Sequence, residues 1–201
     1  MAKNFLEYSE YEVVKHFNSE QDYYTEMDVY RLKLAAAPKL LDFKPAQWIK
    51  LQRIHGKPYM DVQFDPERLA MVIASFHTAT MSHGKCLCHI DNQPGNILES
   101  NGRYYLLDFS DSRLDFPERD ISHFLLFWAA DFGRNCFISY ASKFLKYYCS
   151  LVPLTSGNWQ LCLRQSIQSF DSRREQHGKP GGKNPLPLQQ MNRDWLFELD
   201  P

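Results

Sequence analysis

His89-Ile90-Asp91-Asn92-Gln93-Pro94-Gly95-Asn96, running on through Ile97-Leu98-Glu99-Ser100-Asn101-Gly102-Arg103-Tyr104-Tyr105-Leu106-Leu107-Asp108-Phe109, is the stretch on which the fold turns. An aspartate and an asparagine stand five positions apart in a polar loop. Two apolar runs then flank Ser100-Asn101-Gly102. Asn-Gly between such runs is a strong hairpin signal, because a tight two-residue turn needs positive φ at both central positions. The hairpin carries Asp108 back beside Asn96, from which eleven residues of chain would otherwise separate it. Loop, hairpin and second carboxylate therefore form one constellation. The alternative is local, since Asp and Asn also stabilise turns through their own side chains.

Working outward, Lys85–His89 predicts a short strand, and His83-Gly84 breaks the element before it. Asp65-Pro66 starts a helix, with a capping side chain followed by proline at the first helical position. Leu69, Val72, Ile73, Phe76 and Ala79 give that helix its apolar stripe. His55-Gly56-Lys57-Pro58 is a connector, and a boundary between a segment 1–55 and a segment 56–201 is placed there. Upstream, Val13–Phe17 reads as a strand, and Leu40–Phe43 and Trp48–Arg53 as two more. Between them Asn18 or Ser19 caps a helix with Tyr23, Met27, Tyr30 and Leu34 on one face, ended by Pro38. Downstream, Pro117-Glu118 opens a helix to about Asp131. Phe137, Tyr140, Phe144 and Tyr148 mark another, and Trp159 to Phe170 the last. The Gly-, Pro- and Lys-rich stretch from His177 to Pro187 reads as an exposed loop or flexible linker.

Composition narrows the function classes. A formal net charge of -1 gives no global basic field, so nucleic acid is not indicated as a partner. The five cysteines are odd in number and none has CxxC spacing, which argues against a disulfide framework or a zinc site. Cys86 and Cys88 would share one face of a strand and read as small buried residues of a reduced protein. The acidic, aromatic start, Met1–Tyr11, lacks the apolar core of a signal peptide, and Phe124–Ala130 is too short to span a bilayer. The expected location is cytoplasmic, by default.

The order of strand, HxDxxxxN loop, hairpin and Asp-Phe dipeptide resembles the protein-kinase-like superfamily. It looks most like the aminoglycoside phosphotransferase, choline kinase and lipopolysaccharide-core kinase branch. Pro117-Glu118-Arg119-Asp120-Ile121-Ser122 is similar to the PExDLA stretch common in that branch. The resemblance implies an α+β protein-kinase-like bilobal fold, with a truncated β-rich N-lobe (1–55) and a mainly helical C-lobe (56–201) holding the catalytic loop. It implies ATP and Mg2+ as cofactors. Asp91 matches the base that accepts the acceptor hydroxyl's proton. Asn96 and Asp108 match the metal ligands, in keeping with magnesium's preference for a few oxygen ligands and several waters. His89 braces the loop, and Asp120 is the buried acid that accepts from the loop backbone; its alternative is a solvated first-turn acid favoured by the helix dipole. Lys15 matches the lysine that meets the α- and β-phosphates, and Glu26 its helix partner. Leu51–Gly56, including Arg53 and Ile54, would meet the adenine through backbone groups.

Three departures stand out. No glycine precedes Gly56, so a Gly-rich loop over the phosphates is absent. Ile90 replaces the glycine usual after the loop histidine. The usual DFG or DFD is Asp108-Phe109-Ser110, with Asp111 displaced by one. Only eleven residues separate Asp108 from Asp120, too few for the activation segment with which a protein kinase docks a peptide. The expected activity is therefore ATP-dependent phosphoryl transfer to a hydroxyl of a small molecule or glycan. The alternatives are a nucleotide-binding pseudokinase scaffold, or a compact atypical kinase or ATPase in an RNA- or protein-linked complex. Arg164, Arg173, Arg174 and Lys179 make the late segment basic, which reads as a solvated face or a contact for an anionic acceptor. Trp159, Phe170 and Trp195 read as packing residues.

Overall fold

The computed structural model describes residues 4–176 and 182–201. The chain forms two compact units. The first holds the residues up to Phe64 together with Asp91–Arg113, and the second holds Asp65–Ile90 and Leu114–Pro201. The cut expected at residue 55 divides the chain once. The compact units are interleaved instead, and 56–64 and the loop-hairpin segment group with the N-terminal strands. The physical reason is hydrogen bonding within the first unit: the Leu106 N–H donates to the Ala36 carbonyl at 2.7 Å.

In the first unit, β1 (Phe5–Tyr8) and β2 (Glu12–His16) are joined by a turn, and β3 (Leu40–Lys44) and β4 (Trp48–Gln52) by another. They form an antiparallel sheet in the order β1-β2-β4-β3. The helix α1 (Glu20–Arg31) lies between β2 and β3 in the chain. The Ser19 hydroxyl caps it by accepting the Asp22 N–H at 3.3 Å, and Glu20 and Asp22 place negative charge on its N-terminal dipole. Its buried face carries Tyr23, Met27, Tyr30 and also Glu26. The helix ends at Arg31, well before Pro38, so Leu34 is not on it. Lys33 turns into the left-handed region (φ 53), and the Leu32 and Lys33 N–H groups fold back onto the Val29 and Tyr30 carbonyls.

The connector after β4 contains β5 (Lys57–Pro58). After β6 (Cys86–Cys88) come β7 (Ile97–Ser100) and β8 (Arg103–Leu106), and β5, β7 and β8 make a three-stranded sheet in that order. Asn101 and Gly102 both have positive φ, 52 and 76, as the tight hairpin requires. A Cβ on Gly56 would lie 2.5 Å from the Glu99 carbonyl oxygen. Gly56→Ala is therefore expected to lower stability by about 1–3 kcal/mol, the usual cost of overpacking, read as a lower midpoint in a thermal melt. An unchanged midpoint would show that β5 moves off β7 at no cost.

The second unit is mainly helical. The helix α2 (Pro66–Thr78) starts where Asp65 accepts the N–H groups of Glu67 and Arg68, at 2.9 and 3.4 Å. The short strand β9 (Arg113–Asp115) pairs with β6, and α3 (Pro117–Asp131), α4 (Arg134–Leu151) and α5 (Ser156–Gln176) follow. The core is aromatic: the Phe124 and Phe144 rings stack at 5.1 Å, and Trp128 meets both edge-on. Trp159 and Phe170 are buried, and Trp195 packs edge-on against Phe137. A further helix, α6 (Leu186–Glu198), follows α5, so α5 is not the last and the reading of a loop to Pro187 is corrected. Pro185 to Pro187 read as loop because of their two prolines, yet Pro185 stands at the N-cap and Pro187 in the first turn, where proline is well suited to a helix. The stretch 177–181, with Lys179, lies outside the described residues. Among the described residues no helix is long and apolar enough to cross a membrane.

Candidate active site

Four side chains of the first unit meet at one point. Lys15 sits on β2 with its ammonium in contact with the Glu26 carboxylate of α1. The same ammonium reaches Asp108 Oδ1 at 2.7 Å and Ser110 Oγ at 3.0 Å. Lys15 and Glu26 are buried, whereas the Asp108 side chain is 48% exposed. Burial acts against the Lys15 ammonium, but the Glu26 and Asp108 carboxylates outweigh it and hold its pKa above the ordinary lysine value. Burial pushes the Glu26 carboxyl up to about 7 in spite of that ammonium. For Asp108 the balance runs the other way. Burial is outweighed by the Lys15 charge and by bonds from Lys15 and Ser110, and its pKa is lowered to about 2.

The loop is tied together by its own side chains. Asn96 Nδ2 donates to the Asp91 carbonyl at 2.8 Å and to Asp91 Oδ2 at 3.0 Å, and Gln93 Nε2 donates to the same oxygen at 3.1 Å. The β7–β8 hairpin pairs Ile97 with Leu106, and the Leu107 N–H then donates to the Asn96 carbonyl at 2.8 Å. That ladder brings Asp108 back beside Asn96. Asp108 itself has φ 62, a left-handed conformation that aspartate tolerates better than most residues. Phe109 anchors the turn by burying its ring edge-on against Tyr30 of α1.

Lys15, Glu26, Asp91, Asn96 and Asp108 line one cavity of about 700 Å³. Leu6, Val13, Leu51 and Leu107 supply apolar walls, and Arg53 and Ile54 form part of its rim. The Arg53 N–H donates to the Tyr11 carbonyl at 2.8 Å, and its guanidinium lies 5.5 Å from the Tyr8 ring centre. The Gln52 N–H is likewise spent on the Lys39 carbonyl at 2.9 Å.

In the second unit Asp120 is 1% exposed. It accepts the backbone N–H groups of His89 and Ile90, at 3.0 and 2.8 Å, and a bond from His77 Nε2 at 2.9 Å. Burial alone would raise the carboxyl, but His77 and the His89 backbone outweigh it and lower its pKa to about 2. Ile90 has φ 66, a strained conformation for a β-branched residue and the reason glycine suits this position. Cys86 and Cys88 are buried and reduced, with sulfurs 3.7 Å apart.

Two participants escaped the sequence reading. His77 lies inside an apolar helical stripe with no signal of its own beyond being polar there. Ser110 was visible only as a departure from DFG or DFD.

Fold and site together define a protein-kinase-like α+β protein. The family model for the phosphotransferase enzyme family matches residues 25–154, well over half of the chain, and the chain belongs to that family. Among solved structures, choline kinase LicA from Streptococcus pneumoniae is 18% identical with a TM-score of 0.62, over 98% of this chain and 90% of its own. The amicoumacin kinase hAmiN, in complex with AMP-PNP, Ca2+ and Ami, is 15% identical with a TM-score of 0.66, over 98% and 86%. The streptomycin-ATP-APH(2")-IIa ternary complex is 15% identical with a TM-score of 0.58, over 84% and 82%. At these identities the likeness shows the fold. No curated protein matches the chain.

Proposed function

We propose that this chain is a magnesium- and ATP-dependent phosphotransferase acting on a hydroxyl group of a small molecule or glycan. The observation that carries the reading is the convergence of Lys15, Asp91, Asn96 and Asp108 on a single cavity. Phosphoryl transfer asks for positioning and charge neutralisation rather than covalent help, and this donor set offers both. One ammonium suits phosphate oxygens. The Asn96 amide nitrogen is taken by Asp91, which leaves its carbonyl oxygen, with the Asp108 carboxylate, as hard ligands for Mg2+. Magnesium, when bound, neutralises charge on the phosphates. Asp91 holds the proton that the acceptor hydroxyl gives up. His89 and Asp120 act as supports, through the backbone bonds just before Asp91. With the Arg53 N–H taken by Tyr11, the Arg53 carbonyl and the Ile54 backbone are the groups left to read the base.

The acceptor class follows from length and likeness. The eleven residues between Asp108 and Asp120 are too few to dock a peptide. The kinases named for choline and amicoumacin support a small-molecule acceptor. A nucleotide-binding scaffold is the second reading, favoured by one observation: no glycine precedes Gly56 to cover the phosphates. Thermal shift with ATP and magnesium, followed by ATP turnover across a panel of hydroxyl acceptors, separates the two. Binding with no turnover on any acceptor favours the scaffold. Magnesium is expected to tighten ATP binding, and Asp108→Ala to abolish that effect. Equal ATP affinity with and without magnesium in the parent protein would remove Asp108 from the metal site.

A further inference from the structure

We infer that Ser110 is a positioning residue of this centre: its hydroxyl is the neutral bridge that keeps two carboxylates, Glu26 and Asp108, on the one Lys15 ammonium. The inference rests on the phosphotransferase reading above. Ser110 Oγ lies 2.6 Å from Glu26 Oε1, 2.9 Å from Asp108 Oδ1 and 3.0 Å from Lys15 Nζ. The charges it joins sum to -1 in a largely buried cluster, and like charges this close disfavour each other. A hydroxyl has one proton and two lone pairs. Ser110 therefore accepts from Lys15 and gives its proton to one carboxylate at a time.

The two carboxylates differ in need. The half-exposed Asp108 can be solvated by water or a cation. Glu26 is fully buried and among the described residues its Oε2 has no hydrogen-bond partner, so its hydrogen bonds are those that Lys15 and Ser110 give to Oε1. Tyr30, the other titratable group that faces it, is pushed further from ionisation by burial and by the Glu26 charge, and offers it no compensating charge. When Lys15 turns toward a phosphate, the Ser110 hydroxyl is the donor that stays with Glu26. Glycine in this position has no donor to offer, and a carboxylate would add a third negative charge.

The test compares the parent with Ser110→Ala, which deletes the hydroxyl, and Ser110→Thr, which keeps it. The first readout is the nucleotide-free thermal midpoint at one fixed pH, expected to fall in Ser110→Ala because Glu26 and Asp108 lose the hydroxyl that both contact. The second readout sets Mg-ATP affinity against adenosine affinity. Ser110→Ala should weaken Mg-ATP binding roughly tenfold, the scale of one lost hydrogen bond to a charged group, and leave adenosine, which carries no phosphate, near the parent value. Ser110→Thr should follow the parent in both. Melts that do not distinguish Ser110→Ala from the parent would overturn the inference. A shift in the melts with Mg-ATP affinity unmoved, or with Mg-ATP and adenosine weakened alike, would also overturn it, by making Ser110 a merely structural residue. A parent that binds no Mg-ATP defeats the phosphotransferase reading instead, and the melts alone then report whether Ser110 holds the Lys15 cluster together.

Discussion

Asp91→Asn is expected to leave nucleotide affinity near that of the parent while turnover falls by roughly 10²-fold or more, the lower range for loss of a general base. The substitution keeps the side chain's shape and removes its charge and its capacity to take a proton. Asp91 Oδ2 accepts from both Asn96 and Gln93, so the variant must retain an oxygen there to hold the loop. An asparagine can present its carbonyl oxygen to those two donors. Its remaining cost is a buried-side amide seeking an acceptor, which is a small term beside the loss of the base. Affinity for Mg-ATP, read by thermal shift, separates the two effects: a collapsed loop lowers affinity and turnover together, a lost base lowers turnover alone. Unchanged turnover would remove Asp91 from the mechanism.

The parts of this architecture that were legible in the sequence are those governed by local rules. Asp65-Pro66 and Ser19 announced their helices because capping and first-turn proline are short-range physics. Asn101-Gly102 announced the hairpin because only such pairs sit readily at two successive positive φ values. The end of α1 was misread because Pro38 is a strong stop, while the earlier stop at Lys33 is a left-handed turn made without glycine. The α6 helix was missed for a related reason, two prolines that stand at its N-cap and in its first turn.

The candidate site divides along the same line. The five-residue spacing of Asp91 and Asn96 and the hairpin return of Asp108 are written into a contiguous stretch. Ser110 is not, because its meaning depends on Lys15 and Glu26, which lie 95 and 84 positions away in the chain. Likewise His77 takes its place from Asp120, 43 positions on. A polar residue within an apolar stripe carries no periodic signature of the partner it will find. The interleaving of the two compact units is equally hidden. It follows from the Ala36–Leu106 bond and the Lys15–Asp108 pair, neither of which has a local sequence correlate.

Lys15→Met should cause a large loss of ATP affinity and little change for adenosine. Methionine keeps the length and apolar character of the stem and deletes the ammonium. The parent's Lys15 is held by two carboxylates, so the variant leaves Glu26 buried beside Asp108 with no cation between them. Glu26 then takes up a proton more readily, since burial already pushes it up to about 7 with the ammonium present. That relieves the repulsion and lets the variant fold, so the affinity difference reports the phosphate contact rather than a collapsed lobe. The cavity's lining sharpens the expectation: Lys15 and Arg53 are the lysine and arginine side chains among its lining residues, so the phosphates have few cations to meet. Glu26→Gln should act in the same direction and more weakly, because it only orients the lysine. Adenosine, which carries no phosphate, serves as the internal control for the base pocket. If Lys15→Met binds both ligands as the parent does, the phosphates are held elsewhere, and the cavity lined by Lys15 and Asp108 is not the nucleotide site.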